Sequence, residues 1–196
     1  MFLGDYVDRG PNSRGVLERL ATERFPTPII ALRGNHEAML FDFLAEPETA
    51  SNWRRIGGLE TLHSYGLDVS KVRAGRGYRE AAEAFREALP NSHLDFLKKT
   101  LPCFSAGDYY FCHAGVRPGV PLDAQNEQDL LWMRDPFLSS QANFGKLIVH
   151  GHTPVTAPDI RPNRINIDTG AYISGRLTCL VLEADERRFL PAGEAS

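Results

Sequence analysis

Cysteine is scarce in this sequence: Cys103, Cys112 and Cys179 are the only three among 196 residues, and no two of them form a Cys-x-x-Cys pair. An odd count without paired spacing suits reduced, mostly structural thiols in a reducing compartment. Long apolar runs are also lacking. No stretch approaches the roughly 18 residues a bilayer span needs, and no basic segment leads into an apolar one at the N-terminus. The expectation is therefore a soluble, cytoplasmic protein with no membrane partner. A basic footprint is missing as well, because the formal net charge is -3. Nucleic acid is accordingly not favoured as a partner, whereas small phosphorylated substrates stay open. There is no internal repeat and no low-complexity segment. A hydrophobic content of 42% over this length can fill one sizeable core, so residues 1–196 read as a single domain with a helical excursion at about 48–100.

What the sequence does have is one pattern four times over: an apolar run that stops at glycine beside a residue able to bind metal. Met1-Phe2-Leu3 breaks at Gly4 and delivers Asp5, Asp8 and Arg9. Ile29-Ile30-Ala31-Leu32 leads to Arg33-Gly34-Asn35-His36-Glu37. Tyr109-Tyr110-Phe111-Cys112 leads to His113-Ala114-Gly115, and Leu147-Ile148-Val149-His150 to Gly151-His152-Thr153. Taken singly, such a segment is ordinary turn chemistry, and an Asp-Arg pair is as easily a surface ion pair. Four strand exits offering Asp, Asn, His and His would converge on one rim if the strands share a sheet, at the carboxyl edge where open α/β sheets carry their sites. That is the pattern of a metal site.

Between these exits the organisation alternates. Pro11-Asn12-Ser13 starts a helix with Val16, Leu17, Leu20 and Ala21 as its apolar stripe, closed before Pro26 and Pro28. Strand, helix, strand (29–33) makes a βαβ unit with parallel strands. Residues 38–44 read as a helix whose Met and Phe side chains belong to a core. No strand signal occurs from 48 to 100, only helical pieces at roughly 59–65, 78–89 and 92–100, separated by Gly57-Gly58, Gly75, Gly77 and Pro90. His63 and His93 lie there as surface or packing histidines, and Lys71 to Arg79 as solvated surface. A hairpin over 103–105 and 109–112 follows, then a helix containing 129–133. Ile165 to Asp168 and Leu177 to Leu182 read as two strands of a second sheet or meander, and the tail after Leu190 as frayed.

With Gly-Asp-Tyr-Val-Asp-Arg-Gly (4–10), Arg-Gly-Asn-His-Glu (33–37), His-Ala-Gly (113–115) and Gly-His-Thr (151–153) in hand, the chain resembles the phosphoprotein phosphatases of the calcineurin-like metallophosphoesterase superfamily, in particular the small bacterial serine/threonine phosphatases. The resemblance covers about three quarters of the chain. It implies an α/β metallophosphoesterase fold, two packed mixed β-sheets flanked by helices, as a β-sandwich with a helical insertion. It also implies a protein phosphatase that hydrolyses phosphoserine and phosphothreonine, with phosphotyrosine as a further candidate, by direct attack of a metal-bound hydroxide. Two divalent ions would serve as cofactors, manganese first with iron or zinc as alternatives, since mixed oxygen and imidazole ligands suit these better than calcium. Asp5 would be shared by both ions, and Asn35, His113 and His152 would complete the second metal site. His36 would be the general acid, partnered by Asp8, and Arg9 and Arg134 would grip the phosphate.

Arg134 rests only on Trp132-Met133-Arg134-Asp135 and could instead pair with Asp135. His150 is read as supporting a metal ligand from behind or as structural, and Asp168 and Tyr172, on a late loop, are read as structural. Asp8 and Glu37 favour this branch over the symmetrical dinucleoside tetraphosphate hydrolases, which remain the alternative. The family's opening Gly-Asp-x-His-Gly, whose Asp and His ligate the first metal, does not occur in the sequence. The expectation is thus a fold without its N-terminal strand, a complete second metal site and an incomplete first. A non-catalytic phosphate-binding module is the third reading.

Overall fold

The computed structural model describes residues 1–183 and 186–192. The chain divides into two compact units, Met1–Leu101 and Pro102–Ser196, and each is taken in turn.

The first unit is helical around a short parallel core. Its elements are α1 (Ser13–Thr22), α2 (Asn35–Ala45), α3 (Ala50–Trp53), α4 (Gly58–Ser64), α5 (Ser70–Arg73), α6 (Tyr78–Ala88) and α7 (Asn91–Lys98). Asn12 caps α1 by accepting from the Gly15 amide, as helix-start chemistry favours, and Pro90 precedes α7. The expected strands at 1–3 and 29–33 are reduced to single parallel bridges, Phe2 to Ala31 and Leu32 to Leu101. Phe2 donates to the Ile30 carbonyl and accepts from the Leu32 amide, both at 2.9 Å, so the βαβ direction holds although neither segment is long enough to form a ladder. Trp53, Phe43, Phe85, Leu17, Leu40, Leu62 and Leu97 are fully buried between the helices. Each such side chain contributes roughly 2 kcal/mol of burial energy. His93 belongs to this core, linking Tyr65 and Glu18 at 2.8 Å each, while His63 is on the surface. Lys71, Arg73, Arg76 and Arg79 are exposed, with Val72 and Tyr78 turned inward between them.

The second unit is a mixed five-stranded sheet. Its elements are β1 (Cys103–Ala106), β2 (Tyr109–Cys112), α8 (Glu127–Trp132), β3 (Leu147–His150), β4 (Asp159–Ile160), β5 (Arg164–Asn166), α9 (Ala171–Ser174), β6 (Leu177–Glu183) and β7 (Glu186–Ala192). The strand order is β1-β2-β3-β5-β4, with β2, β3 and β5 parallel and the two edge pairs antiparallel. The segment from Ile165 therefore joins the same sheet as β3, instead of a second sheet, because its partners extend an existing parallel ladder. Among the described residues the second sheet is the β6–β7 ribbon alone. It is antiparallel rather than mixed, and it reaches Ala192, two residues into the tail expected to fray. The rest of that tail lies outside the described residues. Tyr110, Cys112, Leu130, Met133, Phe137 and Ile148 form the core of this unit. All three cysteines are free, with Cys112 buried. Among the described residues no helix is long and apolar enough to cross a membrane.

Candidate active site

In the first unit two glycine turns bring their loops together backbone against backbone. A Cβ on Gly4 would lie 2.4 Å from the Gly34 nitrogen, and one on Gly34 would lie 2.2 Å from Asp5 Oδ1. Only glycine permits this approach. The loop after Gly4 is held in an unusual shape: Asp5 (φ 60), Asp8 (φ 73) and Arg9 (φ 60) all occupy the left-handed region, which non-glycine residues seldom visit. Such conformations cost about 1 to 3 kcal/mol each and persist only where neighbours enforce them.

The enforcing neighbour is Glu37. It stands in the first turn of α2, wholly buried, and its carboxylate accepts four backbone amides. Oε2 takes Asp5 N and Gly34 N, both at 2.8 Å, and Oε1 takes Tyr6 N at 2.6 Å and Val7 N at 3.3 Å. Burial and the nearby Asp5 carboxylate push Glu37 up to about 7, against the pull of those amides.

Asn35 opens α2 and is buried, whereas Asp5 is exposed and accepts a long bond from the His36 amide at 3.4 Å. His36 follows, 4% exposed, and its Nδ1 meets Asp8 Oδ2 at 2.7 Å. Burial opposes a charge on His36, but the Asp8 hydrogen bond and the Asp5 and Asp8 carboxylates outweigh it, so its pKa is raised. Burial also pushes Asp8 up, against hydrogen bonds from His36, Thr61 and Trp53. With Nδ1 occupied by Asp8, Nε2 is the ring atom left to release a proton. Arg9 is exposed, its backbone amide donating to Gly57 O (3.2 Å) and its Nε to Ile56 O (3.3 Å).

In the second unit β2 and β3 run parallel and end at the same edge, where each delivers a histidine. The Gly151 amide donates to His113 O at 2.8 Å, joining the two exits. His113 Nε2 and His152 Nδ1 are then 3.2 Å apart with their rings at 69°, and His152 is itself left-handed at φ 66. Two imidazole nitrogens converging in this way suit a shared cation, imidazole being a donor that divalent transition metals take. Arg134 is exposed, and its carbonyl accepts from the Leu138 amide at 3.0 Å. Asp168 caps the Gly170 amide at 2.9 Å and lies beside Gly151, and Tyr172 is exposed on α9.

His150 points into the core of this unit against Phe137, ring centroids 5.0 Å apart. Burial first, with Arg164 and His113 adding to it, lowers its pKa to about 3. A histidine kept neutral in the folded state but titrating near 6.5 when unfolded contributes stability that is complete above pH 6.5 and drains as pH falls toward 3. Urea midpoints measured between pH 7 and 4.5 are expected to show a loss approaching ~1.4 kcal/mol per pH unit that His150→Gln does not show.

A family model described as calcineurin-like phosphoesterase matches residues 1–175. The chain belongs to that family. Among curated relatives, the asymmetrical bis(5'-nucleosyl)-tetraphosphatase PrpE of Anoxybacillus flavithermus is 26% identical over 91% of this chain and 73% of its own length. Serine/threonine-protein phosphatase 2 of Salmonella typhimurium is 30% identical over 89% and 75%. A crystal structure provisionally described as a diadenosine tetraphosphatase superposes with a TM-score of 0.64 at 19% identity, covering 98% of this chain and 79% of the other, which bears on the fold alone. The fold is thus the calcineurin-like metallophosphoesterase fold, a mixed α/β arrangement of sheets flanked by helices, and this phosphoesterase hydrolyses phosphoesters with divalent metal as the family cofactor.

Three side chains of this phosphoesterase's first unit that the sequence reading left aside touch the dyad. Trp53 Nε1–H and the Thr61 hydroxyl donate to the Asp8 carboxylate, and Ser13 Oγ accepts from the Asp8 backbone amide at 3.1 Å. The only sequence signal was Gly57-Gly58 in the middle of a helical stretch, a breaker that marks close backbone approach as readily as a boundary.

Proposed function

We propose that this phosphoesterase is a protein phosphatase acting on phosphoserine and phosphothreonine, with phosphotyrosine as a lesser substrate. The observation that carries the reading is the buried His36–Asp8 pair with its 2.7 Å hydrogen bond. Serine and threonine leave as alkoxides, strongly basic groups that depart readily only if protonated, and a raised-pKa imidazole near neutral pH is the acid for that task. A nucleotide expelled from a polyphosphate leaves as a weakly basic anion and has far less need of one.

Asp5, Asn35, His113 and His152 are assigned as metal ligands, with manganese as the first candidate. The bound ions would acidify water and offset the charge of the phosphoryl oxygens. Arg9 and Arg134 are assigned to the phosphate, because a guanidinium fork matches two phosphoryl oxygens and keeps its charge. His36 Nε2 gives its proton to the leaving oxygen as the phosphorus–oxygen bond breaks, and Asp8 steadies the ring through Nδ1–H.

Hydrolysis of a dinucleoside tetraphosphate is the second reading, favoured by the PrpE relatives. Turnover of phosphoserine peptide and of diadenosine tetraphosphate by the manganese-loaded protein separates the two. We expect kcat/KM for the peptide to exceed that for the dinucleotide at least about 10-fold, a difference of ~1.4 kcal/mol in barrier. The reverse order would transfer the assignment to the tetraphosphatases.

A further inference from the structure

The Asp8 carboxylate has no solvent-exposed surface, and both of its oxygens are engaged by donors from outside the loop that carries it. Oδ2 receives Trp53 Nε1–H at 2.7 Å in addition to His36 Nδ1, and Oδ1 receives the Thr61 hydroxyl at 2.6 Å. Trp53 ends α3 and Thr61 lies in α4, so two separate helices reach the same group.

The turn between those helices is built onto the loop. Gly57 has φ 121, and a Cβ there would lie 2.4 Å from Arg9 N, while a Cβ on Gly58 would lie 2.4 Å from the Trp53 ring. Arg9 is tied to the same turn through the carbonyls of Ile56 and Gly57. The backbone of this turn is therefore wedged between the Asp8-Arg9 segment and the indole.

A carboxylate held by one imidazole alone can turn about its own axis and carry the ring with it. Two further donors at fixed positions remove that freedom. Packing by itself would be served by any large apolar ring beside Phe43 (centroids 4.8 Å apart) and by valine at position 61. Neither needs a donor aimed at Asp8.

We propose that Trp53 and Thr61 are positioning residues for the proton donor: acting through Asp8, they fix the orientation of the His36 imidazole that protonates the leaving oxygen. This rests on the reading of His36 as general acid. The test uses the full chain and two variants that keep shape, Trp53→Phe, which removes one donor, and Thr61→Val, which removes the donor to Asp8 Oδ1 together with an acceptor of the Asp8 amide (2.8 Å), assayed on phosphate monoesters of graded leaving-group basicity.

For p-nitrophenyl phosphate, whose leaving group needs little help, kcat is expected to fall less than about 3-fold. For phenyl phosphate and phosphoserine peptide it should fall about 10- to 100-fold, with KM nearly unchanged. Thr61→Ser should restore activity. Without metal or substrate, the hydrogen-bonded His36 Nδ1–H proton should give a downfield NMR signal in the wild type that shifts or broadens in both variants while the methyl spectrum stays in place. An equal loss on all substrates, or an unmoved Nδ1–H signal, would overturn the positioning role. Should Trp53→Phe fail to fold, the Thr61 pair decides alone. His36→Gln separates the two ideas: a steep leaving-group dependence there with none in the Trp53 and Thr61 variants sinks only the positioning role, and no dependence in His36→Gln sinks the general-acid reading itself.

Discussion

Asp8→Asn should cut turnover of phosphoserine peptide about 10²- to 10³-fold while leaving bound metal unchanged. Asparagine tolerates the left-handed backbone that Asp8 adopts at φ 73, so the loop is not forced to rearrange. It can also keep its neighbours, with the amide oxygen toward Trp53 and His36 and the NH₂ toward the Thr61 hydroxyl. What disappears is the negative charge that stabilises a protonated ring. Steady-state kinetics alongside elemental analysis of the dialysed protein checks the expectation. Loss of metal in this variant would mean that Asp8 is a ligand and that the acid pair is misassigned.

Glu37→Ala should cost about 3 to 5 kcal/mol of stability, a large part of what a domain of this size holds in reserve. The substitution strips the acceptor from four backbone amides at once, three of them within 2.8 Å. Each buried donor left unsatisfied costs about 1 to 3 kcal/mol, partly recovered where water can enter. Glu37→Gln rescues little, because its NH₂ sets a donor against two of those amides. The urea midpoint and slope give the loss directly. A change below about 1 kcal/mol would show that the loop is held by something else.

The parts of this protein that could be read from its letters are those whose cause is local. Each strand exit announces itself within a few residues, as at Arg33-Gly34-Asn35-His36, and the β1–β2 hairpin is marked by Gly107 at φ 53. The pairing of His36 with Asp8 came from motif resemblance, and the 2.7 Å bond gives it a physical form. What escaped depends on distant partners. Trp53 and Thr61 stand 45 and 53 residues from Asp8, and the Gly57-Gly58 breaker between them marks a close approach without naming its partner. Glu37 was legible as a family letter, but its four amide bonds depend on two turns packing against each other, which no periodicity reveals. The place of β5 was missed for a related reason: Arg164-Ile165-Asn166 is too short to show which sheet it extends, and its neighbour β3 settles the matter.

The run of positive φ at Asp5, Asp8 and Arg9 carries a cost for anyone who engineers this protein. A redesign scored on thermal endurance alone would install glycine or asparagine at these sites first, since both relax the twisted main chain. Glycine at Asp8 would strand the buried Trp53 and Thr61 donors, and any of these changes would remove a group assigned above to the metal, the proton donor or the phosphate, so relaxing the backbone works against the proposed chemistry.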